Sequence, residues 1–132
     1  MSEAKKVCSV MLVDDDKFLL DMYAMKFSQE GHSIKPCFSV DEAVSELSSG
    51  FQPDAIVFDL VMPGKDGFDL LRAIKDGKLA PHAHLIALTN QSSPQERKKA
   101  EELGAQEYII KATLIPSEVV KAVCQVIDGK QA

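Results

Sequence analysis

Asp14, Asp15, Asp16, Asp59, Thr89 and Lys111 are the residues of this chain whose types and spacing could do chemistry together. The aspartates 14–16 follow the apolar run 7–13, Asp59 follows 55–58, Thr89 follows 84–88 and Lys111 follows 108–110. If those runs are parallel strands of one sheet, all these groups meet at its carboxyl rim, where open α/β sheets bind ligands. Carboxylates packed that closely repel one another unless a cation or an amine stands among them. Mg²⁺, a hard ion with octahedral oxygen ligands, answers the repulsion and keeps positions open for phosphate oxygens. Lys111 neutralises what remains, and Thr89 offers a hydroxyl. This is equipment for moving a phosphoryl group, where positioning and charge neutralisation do most of the catalysis. Taken singly, an aspartate after a strand is often a helix cap, a threonine a loop hydroxyl and a lysine a surface charge; Asp16, third of its run, reads as a cap or an exposed residue. Their arrival at successive strand ends carries the reading.

The stretches between these runs have the pattern of helices that return the chain. Residues 17–30 place Leu19, Leu20, Tyr23 and Phe27 at helical spacing before Gly31. Residues 33–37 form a weaker strand, and Pro36, which has no N–H to give, suits a sheet edge. Ser39 and Glu42 make a capping box for a helix to about Ser48. Asp66 caps a helix holding Phe68, Leu71 and Ile74 that Gly77 closes. Ser93, Pro94 and Glu96 supply cap, first-turn proline and capping-box acid for a helix reaching Leu103-Gly104. Pro116 or Ser117 opens the last helix, with Val120, Val123, Cys124 and Ile127 along its inner face. Five strand-then-helix units predict a parallel sheet covered on both faces, a three-layer α/β/α sandwich. One domain over residues 1–132, with a core of about 7–127, is expected.

Composition narrows the function. The 132 residues are 45% hydrophobic and 27% charged, with a net charge of −5 and no basic block beyond Arg97-Lys98-Lys99. Direct nucleic-acid binding, which needs a positive surface, is not expected. Cys8, Cys37 and Cys124 are odd in number and far apart, without a CxxC pair, and read as small buried apolar residues rather than a zinc or redox motif. His82 and His84 stand near the start of the fourth strand, away from the carboxylates, and read as surface residues; Arg97 to Lys99 with Glu101-Glu102 read as a solvated helix face. Lys5-Lys6 before an apolar run resembles a short leader, but Asp14-Asp15-Asp16 follows with no small-residue cleavage site. No run approaches the roughly 20 apolar residues of a membrane span. A cytoplasmic protein is expected, with no membrane insertion.

Val13-Asp14-Asp15, Asp59 with Met62-Pro63-Gly64 and Asp66-Gly67, Leu88-Thr89, Leu103-Gly104-Ala105 and Lys111 resemble the receiver domains of two-component response regulators in order and spacing, from Val7 to Ile127. The resemblance implies a flavodoxin-like fold of five strands and five helices in sheet order 2-1-3-4-5, standing alone as a single domain. It implies that Asp59 accepts a phosphoryl group from a phosphohistidine on a sensor histidine kinase or histidine phosphotransfer protein. Asp15, Asp59 and the Val61 carbonyl would ligate Mg²⁺, with Asp14 acting mainly through a metal-bound water. Lys111, Thr89 and backbone N–H groups near Leu60 and Asn90 would hold the phosphoryl oxygens. Thr89 would then move toward the phosphate, Tyr108 would turn inward, and the surface of the fourth helix, fifth strand and fifth helix would change for a downstream protein target or for a homodimer formed on phosphorylation. The domain would be no enzyme beyond promoting its own phosphorylation and dephosphorylation.

This chain departs from the family at Ala112, where proline is usual after the lysine; at Asn90, where a smaller residue is common; and at Val61, often polar in relatives. An apolar Val61 cannot orient an attacking water, so metal binding is expected to be ordinary and phosphoryl lifetime altered. Phe58-Asp59-Leu60 also begins like the nucleophile motif of haloacid-dehalogenase-type phosphatases, but Val61 stands where that chemistry needs a second acid. A third reading is a phosphate-independent interaction module, against which stands the retention of Asp14, Asp15, Asp59, Thr89 and Lys111.

Overall fold

A computed structural model describes residues 7–90 and 93–129; the Lys5-Lys6 pair weighed as a leader lies outside them. Five strands, β1 (Ser9–Val13), β2 (Ser33–Cys37), β3 (Ala55–Phe58), β4 (His84–Thr89) and β5 (Glu107–Ile110), alternate with helices α1 (Lys17–Gln29), α2 (Val40–Ser48), α3 (Gly67–Gly77), α4 (Pro94–Glu102) and α5 (Pro116–Ile127). The strands form one parallel sheet in the order β2-β1-β3-β4-β5, the expected flavodoxin-like three-layer sandwich.

Side chains alternate across a strand, so a strand covered on both faces must be apolar at every position. In β3, Ile56 and Phe58 join Met11, Val13 and Ala87 in the core under α2 and α3, while Ala55 and Val57 join Val10, Leu12, Ile86 and Leu88 under α1 and α5. β2 has a neighbour on one side only, which accommodates Pro36.

The predicted cap side chains accept their N–H groups, but the box predicted at Ser93 and Glu96 is one-sided, with Glu96 Oε1 buried and unpartnered among the described residues. Asp16 accepts the Leu19 N–H at 3.2 Å. Ser39 accepts the Glu42 N–H at 3.1 Å, but Glu42 reaches past the cap to the Phe38 N–H at 3.1 Å, so that box is not reciprocal. Asp66 and Asp69 do form a reciprocal box, at 2.9 and 3.0 Å. α3 closes on Lys78 in the left-handed region at φ 52°, not directly at Gly77. The buried stripe of α5 is Val119, Val120, Ala122, Val123 and Val126, with Cys124 and Ile127 only partly covered; the sequence placed that stripe one position too far round. β4 runs one residue beyond its expected end, making Thr89 its last residue. A 3₁₀ turn, Lys111–Thr113, follows β5 and was not foreseen.

Candidate functional site

Strand register assembles the rim. Val13 pairs with Phe58, so Asp14 and Asp59 leave neighbouring strands at the same level. Their backbones are pinned there: the Asp59 N–H donates to the Val13 carbonyl and the Asp14 N–H to the Cys37 carbonyl, both at 3.1 Å. Thr89 pairs with Ile110, so Lys111 emerges one step beyond the end of β4. From there its side chain crosses the end of β4 to reach both carboxylates. Lys111 Nζ donates to Asp14 Oδ2 at 2.7 Å and to Asp59 Oδ2 at 2.9 Å, with the lysine only 9% exposed.

The other carboxylate oxygens are held by the turns that follow. Asp14 Oδ1 accepts the Asp16 N–H at 2.9 Å, and Asp59 Oδ1 accepts the Val61 N–H at 3.1 Å. After Lys111, the Thr113 hydroxyl donates to the Ile110 carbonyl at 2.8 Å, and no cis peptide occurs among the described residues, Lys111-Ala112 included. Burial pushes Asp14 above the ordinary carboxylate value, against the hydrogen bond from Lys111. For Lys111, burial works downward but the hydrogen bonds and charges of Asp14 and Asp59 outweigh it, so its pKa is raised. The Lys111 shift describes an amine held in its charged form by two acids, whereas the Asp14 shift records a burial cost that the lysine only partly offsets.

Asp14, Asp15 and Asp59 bring carboxylate oxygens within 4.8 Å of one another, with Asp15 exposed, Asp59 part-buried and Asp14 buried. An all-oxygen, triply acidic donor set with an open side fits a hard divalent cation such as Mg²⁺. Thr89 is fully buried at the end of β4, and Asn90 beyond it is exposed. Tyr108, opposite Ala87 in the ladder, is already 8% exposed, with the Arg97 guanidinium 5.4 Å from its ring centroid. Burial raises its hydroxyl, Glu96 adds to this and Arg97 opposes it. His82 is exposed and His84 half-buried beside Gln106, at the opposite rim, as the sequence implied.

Two contributors were missed. Gly67 opens α3 where a Cβ would meet the Asp59 carbonyl at 2.5 Å and Leu60 Cα at 2.8 Å, so only glycine lets the helix pass behind the acidic loop. The Asp66-Gly67 pair marked the position, but not the reason. Tyr23, counted only as core, has its hydroxyl pushed up first by burial, with the charge of Lys111 opposing and those of Asp14 and Asp59 adding. A polar tip among Leu19, Leu20 and Phe27 was the one available signal.

Fold and rim together define a doubly wound α/β domain whose acidic rim is bridged by Lys111. The family model described as response regulator receiver domain matches residues 10–123, and the chain belongs to that family. The transcriptional regulatory protein ResD of Bacillus subtilis (strain 168) is 32% identical over 112 residues, which cover 84% of this chain and 44% of that protein. The chain therefore spans less than half the length of that curated relative. Among solved structures, the Vibrio cholerae chemotaxis protein CheY4 matches with a TM-score of 0.83 at 21% identity, over 92% of this chain and 99% of that one. A CheY-like receiver domain protein from Methanospirillum hungatei JF-1 matches with a TM-score of 0.82 at 23% identity, over 94% and 96%. A LuxR-family two-component response regulator from Aurantimonas sp. SI85-9A1 matches with a TM-score of 0.83 at 26% identity, over 96% and 89%. The likeness at 21% and 23% identity speaks for the fold, and the family match makes this a signalling domain of the two-component kind.

Proposed function

We propose that this domain is switched by phosphorylation of Asp59 by a histidine kinase or histidine phosphotransfer protein. The observation that carries the reading is Lys111 bridging Asp14 and Asp59 at the sheet rim. A carboxylate oxygen of Asp59 attacks phosphorus, a P–O bond forms, and the P–N bond to the donor imidazole breaks with its electron pair returning to the ring. Lys111 holds a positive charge beside the attacking carboxylate and stays beside the arriving phosphoryl oxygens. Thr89 supplies a hydroxyl on the same rim, and N–H groups near Leu60 and Asn90 complete the cradle. Mg²⁺, held by Asp15, Asp59 and the Val61 carbonyl with Asp14 behind a water, would supply charge neutralisation for the transferring group.

A donor protein must reach this rim. Phe18, Val61 and Ile115, each more than half exposed, stand on segments following β1, β3 and β5 and offer it apolar contact. The response passes to α4, β5 and α5. α4 buries only Ala100, so little packing holds it, and Tyr108 lies beneath Arg97 of that helix. So loosely anchored a helix moves for a bias of a few kcal/mol between two states. The output goes to a downstream protein, with no chemistry performed on it by this domain.

The test incubates the protein with Mg²⁺ and a small phosphodonor and follows intact mass. A single phosphate adduct is expected in the wild type and none in Asp59→Asn. Absence of the adduct in the wild type, with small donor and histidine donor alike, returns the chain to the phosphate-independent interaction module.

A further inference from the structure

Cys8, His32 and Cys124, unrelated in sequence, meet at the rim opposite Asp59. Cys8 immediately precedes β1, His32 immediately precedes β2 and Cys124 lies in α5, with one sulfur or ring nitrogen from each within 4.8 Å of the others. The ring of His32 is fixed. Its Nδ1 accepts the Cys8 N–H at 3.1 Å, so the neutral imidazole carries its proton on Nε2, which lies 3.4 Å from Cys124 Sγ. A histidine that ligates a metal donates its other ring N–H to an acceptor. Here the other nitrogen faces a donor, so ligation through Nε2 would set two N–H groups against each other. His32 is therefore built as a hydrogen-bond donor to sulfur, and the cluster's chemistry belongs to the two thiols.

We propose that Cys8 and Cys124 close a reversible disulfide that staples the start of β1 to α5. The two sulfurs already lie within 4.8 Å of each other. Cys124 is half-buried, and both cysteines line a cavity of about 530 Å³ through which a small disulfide can enter. The Cys124 thiolate attacks one sulfur of that disulfide, RSSR, whose S–S bond breaks and whose leaving thiolate takes a proton. Cys8, losing its proton, then attacks Cys124 Sγ and expels the second RSH. Two protein thiols are oxidised and one RSSR is reduced to two RSH.

The surroundings set the pace. Burial, then Cys8, Asp128 and Glu30, push the Cys124 thiol up to about 12, with His32 donating to its sulfur and Glu118 and Lys121 lining the same cavity. Thiolate is scarce at neutral pH, so closure is slow and quickens as pH rises. This is a slow staple, not a fast sensor. If the switch reading above holds, it restrains α5, one of the elements expected to move.

Cys37 is the internal control, fully buried in the core on the other face of the sheet. The full chain is exposed to oxidised glutathione without any phosphodonor, denatured and alkylated, and its mass is read. All three cysteines should be alkylated before exposure and only Cys37 afterwards. The unfolding midpoint should rise by roughly 10 °C for so long a closed loop. Cys37→Ser should close the same bond, and Cys8→Ser should stop at a mixed disulfide on Cys124. Three alkylated thiols after exposure, or a bond that engages Cys37, overturns the proposal. So does tight one-to-one Zn²⁺ binding by the reduced protein that Cys124→Ser abolishes, which would make the cluster a metal site.

Discussion

Lys111 does the most at the residue scale, because it is the amine that lets two buried or part-buried aspartates share one rim. Its pKa is raised in the folded protein, so its contribution to stability is complete below the ordinary 10.5 and is lost as pH climbs through the higher folded value. Asp14 has the opposite consequence for neutral pH. With its folded value above 3.8, the stability it contributes is complete below 3.8 and lost as pH rises through that folded value. Above that window the protein carries the cost of a buried charge, offset mainly by Lys111. Lys111→Met removes the offset and should lower stability by about 2–4 kcal/mol near neutral pH. Because Asp14 then protonates more readily, the deficit against wild type should shrink when urea unfolding is repeated near pH 5. A deficit that stays constant with pH would mean that Lys111 stabilises by packing its stem rather than by charge.

At the scale of elements, most boundaries follow from local chemistry. Asp16, Ser39, Asp66 and Ser93 cap the helices they were expected to cap, because a short side-chain acceptor three residues before a free N–H acts without help from the rest of the fold. The α3 exit is different. Gly77 stayed helical and Lys78 took the left-handed position, a conformation that costs a residue with a Cβ. Lys78→Gly should therefore stabilise the protein by about 0.5–1 kcal/mol, after allowing for the extra freedom glycine gives the unfolded chain. A thermal melt checks this, and a lowered midpoint would show that the lysine side chain holds the α3–β4 connection. The α5 stripe was misplaced for a similar reason: Val119, Val120, Val123 and Val126 fit one helical period, and so did the expected Val120, Val123, Cys124 and Ile127. Only packing against β3 and β4 chose between them.

At the scale of the molecule, the sheet gathers carboxylates at one rim and sulfur at the other, and the two rims should answer to different reagents. Mg²⁺ that binds the folded rim more tightly than the unfolded chain should raise the unfolding midpoint near neutral pH. The gain should fade as pH drops through the folded value of Asp14, since a protonated carboxyl no longer attracts the cation or accepts from its bound water. Equal gains at both pH values would place the ion elsewhere on this acidic chain.

By itself the sequence determined the strand–helix alternation, the parallel sheet, and the carboxylates, hydroxyl and amine at strand ends, because periodicity, caps and the position after an apolar run are local properties. The tertiary structure alone decided that Lys111 reaches Asp14 and Asp59 together, since that depends on β5 standing two strands away from β3 and on a side chain long enough to cross β4. It alone explained Gly67, whose missing Cβ is needed only because Asp59 and Leu60 run behind it. It alone joined Cys8 and Cys124, which read in sequence as separate buried apolar residues, with His32, which no sequence signal marked. Contacts between residues far apart in sequence follow from register and packing of the whole chain, and no short window of residues encodes them.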